Sequence, residues 1–234
     1  MCRIAADEGT RVIAATAHQN DHYPLVTPDR IRAATLALAT ALREAAVPLN
    51  VVPVAEVMAH PEMEAAFARG ELLTVADRGA FMLVEMPHGL FVDLRAMIGR
   101  FRKAGVRVIL AHPERSPELL HDAGLIEDFI KCGSIVQVNS HSITEPANRE
   151  DERALRRWFQ RGIVHVLGSD GHSATRRPPK IAAAYHKVVS WAGQAAADRI
   201  ASTNGAAILQ GLPLRIDPPQ QARRRWFSGL WSSP

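Results

Sequence analysis

Six short polar motifs in this chain contain side chains that are able to bind metal ions. Each one ends or directly follows a short apolar run: Thr16-Ala17-His18, Ala55-Glu56, Val84-Glu85, Ala111-His112-Pro113-Glu114-Arg115, Gln137-Val138-Asn139 and Ser169-Asp170-Gly171-His172. From His18 to Asp170, successive motif residues are separated by 38, 29, 27, 27 and 31 positions. Because a β/α barrel spends about 30 residues on each strand–helix unit, this spacing predicts a polar residue at the carboxyl end of every strand.

Such residues would converge on one face, where β/α barrels carry their active sites. Imidazoles and carboxylates together suit a divalent metal such as Mn, Zn or Fe, and without a cation their mutual burial would be costly. Glu56 could bridge two metals about 3.5–4 Å apart, and such a pair clamps a phosphoryl group and generates hydroxide near neutral pH. We therefore predict a metal site formed by His18, Glu56, Glu85, His112 and Asp170.

Two arginines close to these motifs are candidates for anion binding. Arg115 follows His112 by three residues and Arg177 follows His172 by five, so both are expected at the rim of the same face. The guanidinium group suits bidentate recognition of phosphate. The neighbouring Arg176 is predicted to be an ordinary surface residue. His141 is left open between a surface and a substrate-contacting role, and surface or core positions are predicted for the other histidines, which are His22, His60, His88, His121, His165 and His186.

Other catalytic motifs are absent from the sequence. There is no Gly-rich phosphate loop, no Cys-x-x-Cys pair and no Gly-x-Ser-x-Gly turn. Neither Cys2 nor Cys132 has an arginine six residues on, which excludes a cysteine-based phosphatase loop.

Continuous apolar runs, typical of strands buried on both faces, alternate with longer helical patterns. Strands are predicted at Val12–Ala15, Leu49–Val54, Phe81–Val84, Val106–Leu110, Ile135–Val138 and Ile163–Leu167. Helices are predicted at Pro28–Ala46, Pro61–Arg69, Asp93–Ala104, Pro117–Lys131, Glu150–Arg161 and Pro179–Ser202. The alternation predicts an α/β protein with a parallel sheet, open or closed.

Composition narrows the class of protein. The 234 residues carry a net charge of +4, but the segment from Arg215 onward holds +3 of it. The basic balance is therefore a property of the tail, and nucleic-acid binding, which would need a basic face on the fold, is not expected. The interpretation is one domain over residues 1–214 followed by a basic, mobile tail over 215–234. Two unpatterned cysteines, no apolar leader and no bilayer-length apolar run predict a cytoplasmic protein.

The six motifs, followed by Arg177-Pro178-Pro179, resemble the manganese-dependent protein-tyrosine phosphatases of bacterial capsule and exopolysaccharide operons. These belong to the polymerase-and-histidinol-phosphatase (PHP) superfamily. The match is collinear over about residues 1–212. It implies a distorted (β/α)7 TIM-like barrel with two or three metal ions. It also implies a substrate, namely the tyrosine-phosphorylated tail of a membrane-associated polysaccharide autokinase.

The resemblance also implies a role for each motif residue. Glu56 matches a carboxylate that bridges the first two metals, and Glu85 and His112 match the remaining ligands of the second. Asp170 matches a ligand of the first metal, and His18 and His172 match ligands of the third. Arg115 and Arg177 match the phosphate-binding arginines. Ala17 stands where the family has a proline before this histidine.

One family element has no counterpart, because nothing here matches the opening strand that ends in His-x-His. We therefore expect a barrel without its first strand, two unpaired sheet edges and a tendency to self-associate. We also expect this chain to hold about one metal or fewer with little activity, and an upstream-extended version to regain both. Two alternatives remain: a PHP phosphatase acting on a small monoester such as histidinol phosphate, and a non-catalytic partner of the kinase.

Overall fold

The computed structural model describes residues 1–214 and residue 216. The predicted basic tail, 215–234, therefore lies outside the described residues except for Ile216. Within the described part of the chain, no helix has the length and apolar character needed to cross a membrane.

The fold is a curled sheet of six parallel strands that follow one another in chain order. The strands are β1 (Val12–Gln19), β2 (Asn50–Met58), β3 (Phe81–Glu85), β4 (Arg107–Ala111), β5 (Ile135–Asn139) and β6 (Val166–Gly168). The edges of this sheet are β1 and β6. The predicted α/β class with a parallel sheet is thus confirmed, and the sheet is a half-barrel.

Helices connect the strands. They are α1 (Cys2–Asp7), α2 (Pro28–Glu44), α3 (Met63–Ala68), α4 (Arg95–Lys103), α5 (Pro117–His121), α6 (Ala123–Cys132), α7 (Ser140–Thr144), α8 (Arg149–Gln160), α9 (Ala182–Ala192), α10 (Gln194–Asp198) and α11 (Asn204–Leu209). Local signals explain several boundaries. The Thr27 side chain caps α2 at the Arg30 amide, and Asn148 caps α8 at the amides of Glu150 and Asp151.

Several predicted boundaries were wrong. β1 and β2 continue to Gln19 and Met58 instead of ending at Ala15 and Val54, because the two strands pair over eight consecutive positions. His18 and Glu56 consequently lie within strands. The predicted helix Pro117–Lys131 is broken at Asp122, whose side chain caps the new helix α6.

At the carboxyl side of the chain, the predicted strand Ile163–Leu167 is shorter, because β6 begins only at Val166. The predicted helix Pro179–Ser202 begins at Ala182 and is interrupted at Gly193, which separates α9 from α10. A π-helical turn, Arg199–Thr203, follows α10 directly. Gly193 has φ +86°, a conformation that ends a helix readily.

The two faces of the sheet have different partners. One face packs its alternate residues, such as Val84, Leu110 and Val138, into the largest hydrophobic cluster with helices α4, α6 and α8. The opposite face carries a smaller apolar cluster that includes Val54 and Ile135. Glu56 follows Val54 by two positions, and Gln137 follows Ile135 by two, so polar residues continue this second face toward the carboxyl ends of the strands.

Candidate metal centre

Four side chains, His18, Glu56, Glu85 and His112, converge at the carboxyl ends of β1 to β4, and we call them the metal cluster. His18 and Glu56 are paired in register on β1 and β2. His18 Nδ1 lies 3.4 Å from Glu56 Oε2 and 3.4 Å from Glu85 Oε1. One ligand atom from each of these three residues falls within 4.8 Å of the others, as the ligands of one cation must.

His112 joins this group through an unusual backbone conformation. It follows the last residue of β4 with φ +32° and ψ +51°, in the left-handed region that non-glycine residues rarely adopt. His112 Nε2 is thereby 3.0 Å from Glu56 Oε1 and 3.9 Å from Glu85 Oε2. Strained backbone of this kind persists where the surroundings hold it, often at functional sites.

Burial and charge make this cluster suitable for a divalent cation. Glu56 and Glu85 are 5% and 1% exposed, and His18 Nδ1 and Glu85 Oε1 are buried without a hydrogen-bond partner in the described part of the chain. The Glu85 carboxylate raises the pKa of His18 despite opposing burial. Burial opposes protonation of His112 too, but Glu56 outweighs it and raises the pKa. The donors, two imidazoles and two carboxylates, fit Mn, Fe or Zn.

Beside the metal cluster lies a second group centred on Asp170. Arg115 Nη1 and Arg177 Nη1 face the same carboxylate oxygen of Asp170, at 3.8 and 3.4 Å. His172 Nδ1 lies 3.5 Å from the other carboxylate oxygen and 2.8 Å from the Asp170 carbonyl. The His172 ring centroid is 6.3 Å from that of His18, so the two groups adjoin.

A buried hydrogen-bond network on β5 links the two groups. Gln137 accepts a bond from the His112 amide through Oε1 and donates to Asn139 Oδ1 through Nε2. Asn139 donates through Nδ2 to Asp170 Oδ2, and its amide donates to Glu114 Oε1. His112 and Asp170 both have positive φ, so the network fixes two unusual turns at once. Partners of this type orient metal ligands and tune their affinity.

The eight predicted site residues thus fall into two adjoining groups: the four residues of the metal cluster, and Arg115, Asp170, His172 and Arg177. Three contributing residues were not predicted as site residues. Gln137 and Glu114 stand inside the recognised motifs but received no role of their own. Tyr23 stacks on His18 with ring centroids 6.0 Å apart, and it lies in a loop whose sequence gives no signal of this contact.

The other histidines occupy surface or core positions. His22, His60, His88, His121 and His186 are exposed, and His165 is buried with its Nδ1 accepting from the Val136 amide. His141 is exposed and lies 3.7 Å from Glu145.

A half-barrel of parallel strands with a histidine–carboxylate cluster at their carboxyl ends defines an α/β protein with a candidate divalent-metal centre. The chain belongs to the capsular polysaccharide synthesis family CpsB/CapC, whose family model matches residues 1–210. The resemblance inferred from the motifs is thereby confirmed.

Two proteins that are similar to this chain are named for an enzymatic activity. Tyrosine-protein phosphatase YwqE from Bacillus subtilis (strain 168) is 26% identical over 239 residues, covering 99% of this chain and 91% of that protein. Tyrosine-protein phosphatase CpsB from Streptococcus pneumoniae is 22% identical over 183 residues, with coverages of 76% and 75%. The two alignments therefore cover most of the length of each relative.

A solved structure has the same fold. It comes from work on YwqE from Bacillus subtilis and CpsB from Streptococcus pneumoniae, which describes them as unique metal-dependent tyrosine phosphatases. The TM-score is 0.87 at 24% identity, and the match covers 96% of this chain and 90% of the solved one.

Proposed function

We propose that this chain is a metal-dependent protein-tyrosine phosphatase, as its relatives YwqE and CpsB are named. The proposal rests on one observation: a buried histidine–carboxylate cluster and two arginines lie together at the carboxyl ends of the strands. Metal-assisted hydrolysis of a phosphoric monoester uses those two capacities, a cation site and a phosphate cradle.

The proposed cofactor is a divalent metal, with Mn first and Fe or Zn as alternatives. His18, Glu56, Glu85 and His112 would hold one ion, and Asp170 and His172 would contribute to further positions. When bound, the metal lowers the pKa of water and neutralises charge on the phosphoryl oxygens. Two or three ions would fill a complete site of the PHP type, to which we assign this half-barrel.

Arg115 and Arg177 are proposed to bind the phosphoryl oxygens of the substrate. Both guanidinium groups face Asp170, and their side chains are 46% and 29% exposed, so they can still reach an incoming anion. A planar guanidinium matches two phosphate oxygens at once. The pair would thus orient the phosphoryl group and stabilise its equatorial oxygens during transfer to water.

The physiological substrate is proposed to be the tyrosine-phosphorylated tail of a polysaccharide-export autokinase, met in the cytoplasm. Membership of a capsular polysaccharide synthesis family supports this setting. We further propose that residues 1–214 form the catalytic domain and 215–234 a basic tail. Self-association is proposed through the edge strands β1 and β6.

The proposal is tested on the upstream-extended version, which is expected to hold both metals, by removing metal with EDTA and restoring Mn, Fe or Zn separately. We expect Mn to restore phosphate release from a phosphotyrosyl peptide, with much slower release from histidinol phosphate. Faster turnover of histidinol phosphate would instead support the small-monoester alternative. Binding of the phosphopeptide without hydrolysis in the presence of each of the three metals would contradict the proposed phosphatase activity. It would instead support the alternative of a non-catalytic partner of the kinase.

A further inference from the structure

A groove of about 440 Å³ opens beside the candidate metal centre. Helices α5, α7 and α8 contribute to its walls, and it shares Arg115, Arg177 and Asn139 with the centre. None of the four residues of the metal cluster lines it. A phosphate held by the two arginines would therefore have this groove beside it, available to the groups attached to the phosphate.

Part of the groove wall is apolar. Pro117 and Leu120 of α5 and Leu155 of α8 line it, together with Pro146 and Ala147 of the loop between α7 and α8. Leu120 and Leu155 are only 6% and 2% exposed, which makes this part of the wall a fixed surface of the core. Such a surface accommodates the methylene stem of a long side chain.

The groove also carries three carboxyl groups. Glu145 has a side chain that is 73% exposed and lies 3.7 Å from His141 Nδ1, and Asp151 Oδ1 lies 3.2 Å from His121 Nε2. Glu114 is 6% exposed, and its Oε2 has no hydrogen-bond partner within the described residues. The same groove thus presents arginines for an anion and carboxylates for a cation.

We propose that this groove docks the peptide segment next to the phosphotyrosine and selects substrates with lysine or arginine there. The two arginines would take the phosphate, and Glu145 and Asp151 would take the neighbouring cationic group. Complementary charge of this kind contributes more to the choice of partner than to the strength of binding. The inference rests on the proposed function, since it takes the phosphate end of the groove to be the catalytic end.

Peptide binding tests the inference separately from catalysis. Two fluorescein-labelled phosphotyrosyl peptides, flanked on both sides by Lys or by Glu, are titrated by anisotropy in EDTA, where turnover is blocked. We expect the parent chain to bind the Lys peptide about threefold to tenfold more tightly, and Glu145→Lys to abolish or reverse that preference. Ala147→Trp, which fills the groove from an exposed loop, should weaken binding of both peptides.

The matched control is Glu150→Lys, which makes the same charge change at an exposed position outside the groove lining. It should keep the parent's preference. Equal affinities of the parent for both peptides, or an unchanged preference in Glu145→Lys, would overturn the inference. Mn-dependent hydrolysis of p-nitrophenyl phosphate by the upstream-extended version is measured in parallel, so that loss of the proposed function is recognised independently of peptide preference.

Discussion

The side chain of Gln137 lies directly against Gly168 on the neighbouring strand. A Cβ atom placed on Gly168 would come within 2.4 Å of Gln137 Nε2 and 3.0 Å of its Cδ. The absence of a side chain at 168 therefore allows Gln137 to span the distance between the His112 amide and Asn139.

Gly168→Ala is predicted to displace Gln137 and loosen both turns that the network holds. Overpacking at a buried contact costs about 1–3 kcal/mol, and we expect a comparable loss of stability together with weaker metal binding. Thermal unfolding and metal content by mass spectrometry measure the two effects. Gly99→Ala in α4 is the control, because a Cβ there meets nothing within 4 Å. Equal metal content in both variants would contradict the role of Gln137.

Asn139→Leu is predicted to weaken metal binding while the sheet persists. The substitution keeps the backbone amide that donates to Glu114 but removes the Nδ2 donor to Asp170 and the Oδ1 acceptor for Gln137. Loss of such supporting partners typically lowers metal affinity about 10- to 100-fold. Calorimetric titration with Mn, beside a circular dichroism spectrum, measures this affinity. If the variant bound Mn as tightly as the parent, Asn139 would have no role in supporting the metal centre.

Arg115→Ala and Arg177→Ala are predicted to leave metal content unchanged and to weaken inhibition by orthophosphate. Each loses a charge-assisted hydrogen bond worth about 1.5–3 kcal/mol, which corresponds to a rise of roughly 10- to 100-fold in the inhibition constant. Arg176→Ala is the matched control at an exposed neighbouring position. The same inhibition constant in parent and variants would show that neither arginine binds phosphate.

His165 is predicted to make the protein less stable in mild acid. Burial, together with Arg107 and Arg199, lowers the pKa of His165 to about 4 from its ordinary 6.5. As pH falls below 6.5 the unfolded chain takes up a proton that the folded chain does not, so stability declines. The expected contribution is about 2 kcal/mol between pH 7 and pH 5.

Urea unfolding of the parent and of His165→Asn at these two pH values measures this effect. The asparagine offers an acceptor for the Val136 amide but does not titrate, so its stability should depend less on pH. His186→Asn, at an exposed histidine, should retain the full dependence. Parallel pH profiles for the parent and His165→Asn would refute the assignment.

The sequence was sufficient to predict the six strands and their parallel arrangement, because each strand is a compact run of apolar residues. It misplaced the ends of β1 and β2. The segments that contain His18 and Glu56 are kept extended by pairing with each other, which is a tertiary contact. Strand propensity alone ends these elements too early.

The candidate site was predictable to a similar degree. Regular spacing of polar residues after apolar runs identified Glu85 and His112, since parallel strands present their carboxyl ends at one edge. The spacing could not predict that Gln137 would connect His112 to Asn139, because this contact depends on the small size of Gly168 on another strand. The groove with Glu145 is likewise formed by three helices brought together only in the folded chain.

We propose that His112, together with His18, Glu56 and Glu85, forms the catalytic metal centre. Its most direct test is the initial rate of phosphate release from a phosphotyrosyl peptide at saturating Mn, in the upstream-extended parent and in the same version carrying His112→Ala, with unchanged circular dichroism. We expect the substitution to lower the rate about a hundredfold or more, since an essential ligand would be lost. Turnover by His112→Ala close to that of the parent at saturating Mn would contradict the account.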